Sequence, residues 1–104
     1  MAAALVRRVG QAGGNAVILA RGDATAGAML IVCRERGVLT ALLERVLRGD
    51  GYAWSRVGPE FDDSRESGVG EWVEKRRGRD PDLWVVELDI ADSQRFAAET
   101  LAEG

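Results

Sequence analysis

The residues best equipped for chemistry in this chain are acids. Asp80, Asp82, Glu87 and Asp89 fall in one short stretch, and Asp23 stands far upstream. Carboxylates brought together could hold Mg²⁺ or Mn²⁺ and activate water against a small or phosphorylated substrate. Spacing alone does not converge them. Asp80 and Asp82 flank Pro81, whose fixed φ suits the second position of a tight turn, and Asp80 can bond the backbone just downstream. Glu87 follows Leu83 and Val85 on one face of the next segment. A carboxylate half-buried among them needs a cation, and Arg34 or Arg56 is the natural supply. Asp80, Asp82 and Glu87 are thus the acidic candidates, with a turn and an ion pair as the favoured roles.

A second candidate is the loop Arg-Gly-Asp-Ala-Thr-Ala-Gly at 21–27. Exposed amides around Gly22, Asp23, Thr25 and Gly27 could cradle an anion. The loop has neither the spacing of a P-loop nor that of a dinucleotide fingerprint, so glycines serving a turn are the favoured reading. A third candidate is aromatic. Trp54, Trp72 and Trp84 cannot all be central in so small a domain, and a partly exposed tryptophan is a frequent interface anchor.

Composition excludes more than it offers. The chain has no histidine, which removes imidazole bases, Ser-His-Asp and Cys-His nucleophiles, and nearly all catalytic zinc sites. No catalytic residue, metal set or cofactor motif stands out. The single cysteine, Cys33, has no partner for an internal disulfide and reads as a core filler, which fits a reducing compartment. All 14 basic residues but Lys75 are arginine, yet the net charge is −3. That balance opposes nucleic-acid binding by Arg7, Arg8, Arg76, Arg77 and Arg79. The N-terminal residues lack the apolar run of a signal peptide, and no stretch is long enough to span a membrane. A cytoplasmic protein is expected.

The elements that must position these groups follow from periodicity. With 104 residues, 46% hydrophobic and 30% charged, the chain is expected to form one domain over residues 1–104. Ala2 to Ala12 reads as a helix closed by Gly13-Gly14. Asn15 to Ala20 and Ala28 to Cys33 read as buried strands, antiparallel neighbours if the loop between them is a hairpin. Arg34 to Gly37 is a charged turn with glycine in the left-handed position. Val38 to Leu47 fits a helix and a strand equally. Asp50-Gly51 signals a hairpin into a strand at Tyr52 to Val57. Glu60, Asp62 and Asp63 sit in a polar loop, and Ser64 or Ser67 can cap a helix that carries Val69, Trp72 and Val73 inward and stops at Gly78. Asp80 to Ile90 reads as the central strand, with Trp84, Val86, Leu88 and Ile90 on one face. A last helix, capped by Asp92 or Ser93, carries Phe96, Ala97, Thr100 and Leu101 on one side.

Three stretches together carry a resemblance: Arg21 to Ala28, the helix end Lys-Arg-Arg-Gly-Arg-Asp, and Asp80 to Leu88 reading Asp-Pro-Asp-Leu-Trp-Val-Val-Glu-Leu. They resemble the bacterial family called domain of unknown function 1491, found mainly in alphaproteobacteria. The resemblance covers most of the chain and departs from it at the N-terminus and in the last helix. It implies a strand at Val38 to Leu43. It brings no activity, ligand or site residue.

The expected fold is therefore α+β, a mostly antiparallel sheet with helices on one face, in the order α-β-β-β-β-α-β-α. The favoured function is a non-enzymatic interaction module, homodimeric or docking on a partner protein. The alternative is a carboxylate-and-divalent-metal enzyme.

Overall fold

A computed structural model describes residues 2–23, 28–49, 51–58 and 68–103. The elements are α1 (Ala2–Gln11), β1 (Asn15–Ala20), β2 (Met29–Glu35), β3 (Val38–Arg48), β4 (Gly51–Arg56), α2 (Gly68–Arg79), β5 (Trp84–Asp89) and α3 (Ser93–Glu103). The order is the expected one, and Val38–Arg48 is a strand.

The strands form one sheet in the order β1-β5-β2-β3-β4. All neighbours are antiparallel except β2 and β5, which run parallel. This corrects two expectations. β1 and β2 do not form a hairpin, because β5 lies between them. β5 is an interior strand, but the middle position belongs to β2, whose residues Met29 to Cys33 are all buried. Local pattern marks an apolar strand as interior and cannot say which strands flank it.

Alternation sends the side chains of β2 and β5 to two cores. Met29, Ile31, Cys33, Val86 and Leu88 pack with Leu5 and Val9 of α1 and Ala97 of α3. Leu30, Val32, Leu83 and Val85 pack with Leu42 and with Val69 of α2. Helices therefore cover both faces, α1 and α3 on one and α2 on the other, where one covered face was expected. A strand apolar on both sides, as β2 is, requires cover on both. Each fully buried Leu, Ile or Val here contributes about 1.5–3 kcal/mol.

Turn chemistry sets the joints. Arg36 and Gly37 both have positive φ, at 53° and 80°, and form the two-residue loop of the β2–β3 hairpin. Such a pair matches the natural twist of the strands. α2 runs through Gly78 and ends at Arg79, so that glycine does not stop it. Asp80-Pro81 does, because a residue before proline is pushed out of the helical region. The amide of Leu83 then donates to the Asp80 carbonyl at 3.1 Å and closes the expected turn. The polar loop with Glu60, Asp62, Asp63, Ser64 and Ser67 lies outside the described residues, as do the side chains of Tyr52, Thr100 and Leu101. Among the described residues, no helix is long and apolar enough to cross a membrane.

Candidate interaction face

Two sequence motifs far apart in the chain meet at the start of β5. The Asp23 amide donates to the Asp82 carbonyl at 3.0 Å, and the indole Nε1 of Trp84 donates to the Asp23 carbonyl at 2.8 Å. Gly22 lies so close to this turn that a Cβ there would collide with the Asp82 carbonyl oxygen and stand 2.8 Å from the Trp84 nitrogen. Gly22 and Asp23 thus serve a backbone seam between the loop and β5. Thr25 and Gly27, the other anion-loop candidates, lie outside the described residues.

The three acidic candidates have separate partners or none in common. Asp80 accepts the Asp82 amide at 3.3 Å through Oδ1, and its Oδ2 lies 3.8 Å from Arg76. Asp82 is exposed. Glu87 is half-buried and accepts from Nε of Arg34 at 3.1 Å, the cation expected for it. Arg34 also donates to the Gly37 carbonyl, and Asp89 accepts the Gly37 amide at 2.9 Å. Among the described residues, no three of His, Cys, Asp and Glu are gathered to hold a metal ion.

The tryptophans are all half-buried and are divided between the two faces. Trp54 and Trp84 pack against the core under α1 and α3, and Trp72 packs on the α2 side. They do not form one patch. The arginines are divided likewise, Arg7 and Arg8 on α1 and Arg76, Arg77 and Arg79 on α2. Arg8 pairs with Glu99 at 3.4 Å across α1 and α3. Arg76, expected only to favour the helix dipole, turns inward and forms a close pair with Glu44 of β3, with Nε to Oε1 at 2.7 Å. Cys33 is fully buried, and desolvation pushes its thiol up to about 12 despite a hydrogen bond from the Ser93 side.

The feature that sequence reasoning missed is β1. Among the described residues it is an edge strand, paired with β5 on one side. Ala16 and Ile18 pack inward under α1. Val17 and Leu19 point to the other face and are each 51% exposed. α2 covers the far part of that face, where Trp72 and Val73 approach Leu42 and Arg76 reaches Glu44. Between α2 and β1 an open cleft of about 240 Å³ remains. Ala20, Val32 and Val85 floor it, Val69 and Val73 wall it, and Leu19 stands at its rim. The Arg34–Glu87 pair closes one end. The run Asn-Ala-Val-Ile-Leu-Ala hid this edge because an uncharged apolar strand reads as interior. Its residue types carry no alternation that would have marked one face as open, so the edge follows only from the sheet order.

A family profile described as "Protein of unknown function (DUF1491)" matches residues 1–98. The chain belongs to the DUF1491 family. Among solved structures it is similar to a DUF1491 family protein from Caulobacter crescentus. The crystal structure of that protein shares 32% identity and a TM-score of 0.74 over 91% of this chain and 88% of the other. The NMR structure of a DUF1491 family protein from the same organism gives 34% identity and a TM-score of 0.75, over 91% and 86%. The solution structure of protein Atu0922 from A. tumefaciens shares 29% identity at a TM-score of 0.63, over 85% and 80%. No curated protein matches the chain. The match spans both the seam at Gly22 and the β1 edge, so the features above belong to the part of the chain that the DUF1491 profile covers.

Proposed function

We propose that this DUF1491 chain is a non-enzymatic protein-interaction module of the cytoplasm, working through the open side of its sheet. The observation that carries the reading is the pair Val17 and Leu19. Both are half-exposed on an edge strand that has no charged residue, beside a cleft with an apolar floor and Arg34, Glu74, Arg77 and Glu87 around it. Edge strands in soluble proteins are normally guarded by lysine, proline, a covering element or a bulge, and of these β1 has the bulge between Ile18 and Ala20. β1 has neither residue type, in a chain that is 30% charged. Exposed apolar surface of this kind marks sites of association. The free buried thiol of Cys33 fits a reducing compartment.

Native mass spectrometry of the untagged protein, taken gently from its own cells, tests this. The expected result is a mass that contains a second polypeptide, either another copy or a different chain. A monomer at every concentration, or a monomer carrying a metal ion or small molecule, overturns the reading.

A further inference from the structure

We infer that the partner seated on the β1 edge is a second copy of this chain, joined by antiparallel β1–β1 pairing across a two-fold axis. The inference rests on the interaction reading above and names its occupant. Antiparallel pairing about Ile18 sets Ile18 against its own counterpart, and Val17 against Leu19 of the other copy. Directly opposed residues of antiparallel strands share a face. Both apolar side chains that β1 exposes are then covered by each other, and the same five residues, 16–20, supply both halves. That self-complementarity is what a two-fold interface demands.

Charge agrees with the pairing. β1 carries no charge, so the strands oppose no like charges, and Arg21 of one copy falls opposite Asn15 of the other. One strand further in, Glu87 is already neutralised by Arg34 at 3.1 Å. On the face away from α1 the apolar cleft floors of the two copies, each with Ala20, Val32 and Val85, come side by side between two α2 helices that present Glu74 and Arg77 to the cleft. The backbone irregularity between Ile18 and Ala20 leaves Leu19 without a partner on β5 and places it at the cleft rim, where the second Val17 meets it.

The test is the mass of the purified chain by light scattering, for the wild type and for Val17→Lys and Leu19→Lys. Both positions are half-exposed, so both variants are expected to keep the fold and the circular dichroism of the parent. The expected result is a wild-type dimer and a dissociation constant raised about a hundredfold or more in each variant, since a lysine beside the axis enters the apolar seam twice, once from each copy. Ile18→Cys tests the register independently. Its thiols face each other and are expected to cross-link on oxidation, whereas Ala16→Cys does not. A dimer that both lysine variants leave intact overturns the β1 interface while the interaction reading stands. So does a wild-type monomer that native mass spectrometry finds bound to a different polypeptide. A chain with no polypeptide partner overturns both.

Discussion

Gly22 is held by its neighbours more tightly than any turn would require. Its φ is not in the left-handed region; what matters is the absent Cβ, which would strike the Asp82 carbonyl oxygen. Gly22→Ala is expected to lower stability by about 1–3 kcal/mol in urea unfolding, since the obstacle is backbone and cannot rotate away. Gly10 on α1 meets nothing within 4 Å, and Gly10→Ala is expected to raise stability by about 0.5–1 kcal/mol. Cys33 gives a pH effect with a definite sign. Burial raises its thiol from 9.0 to about 12, so the folded chain keeps a proton that the unfolded chain releases. Stability contributed by the neutral thiol is complete below pH 9 and declines as pH rises from there toward 12, by at most about 1.4 kcal/mol per pH unit. Cys33→Ala is expected to flatten that part of the denaturation curve. The same burial should leave the thiol unreactive to a disulfide reagent until the protein unfolds.

The ion pair between Arg76 and Glu44 decides how α2 stays on the sheet. Val69 is the one buried residue of the described α2 side chains, so the helix depends on Trp72, Val73 and this pair for its placement. Arg76→Ala is expected to cost about 2 kcal/mol, the scale of a charge-assisted hydrogen bond lost together with its packing. Hydrogen exchange should show faster α2 amides with β2 and β5 unchanged. At this scale much was legible from the chain alone. The bounds of β1, the position of the Asp80 turn and the two faces of β5 can all be read from the chain, because alternation and proline act locally. Arg76 was placed on the helix but not under it, since its partner lies on a strand distant in sequence. Gly78 was misjudged as a stop because a glycine tolerated inside a helix and one that ends it look alike.

At the scale of the molecule the sheet order was not legible. An apolar run states that a strand is covered, and its neighbours depend on where the rest of the chain goes. The same non-local choice put β1 at an edge and made Val17 and Leu19 the exposed pair, so the candidate face became visible only with the topology. The acids and tryptophans, prominent as residue types, are dispersed by it: Asp80 to the turn, Glu87 to Arg34, Trp72 to the face opposite Trp54 and Trp84. If two copies join through β1, the midpoint of thermal unfolding is expected to rise with protein concentration, because the folded dimer is favoured by mass action. In Leu19→Lys the midpoint should no longer depend on concentration.

The position of β5 between β1 and β2 has a consequence for how the protein is made. On the ribosome β1 and the β2–β3–β4 meander emerge first, and the strand that joins them emerges after all of them and after α2. Until Asp89 is clear, β1 and β2 both lack the neighbour that the finished sheet gives them. A nascent chain that pauses in α2 therefore presents four strand edges where the finished sheet has two, β1 and β4. The interval before β5 emerges is thus when the sheet can close on a neighbouring chain instead of on itself.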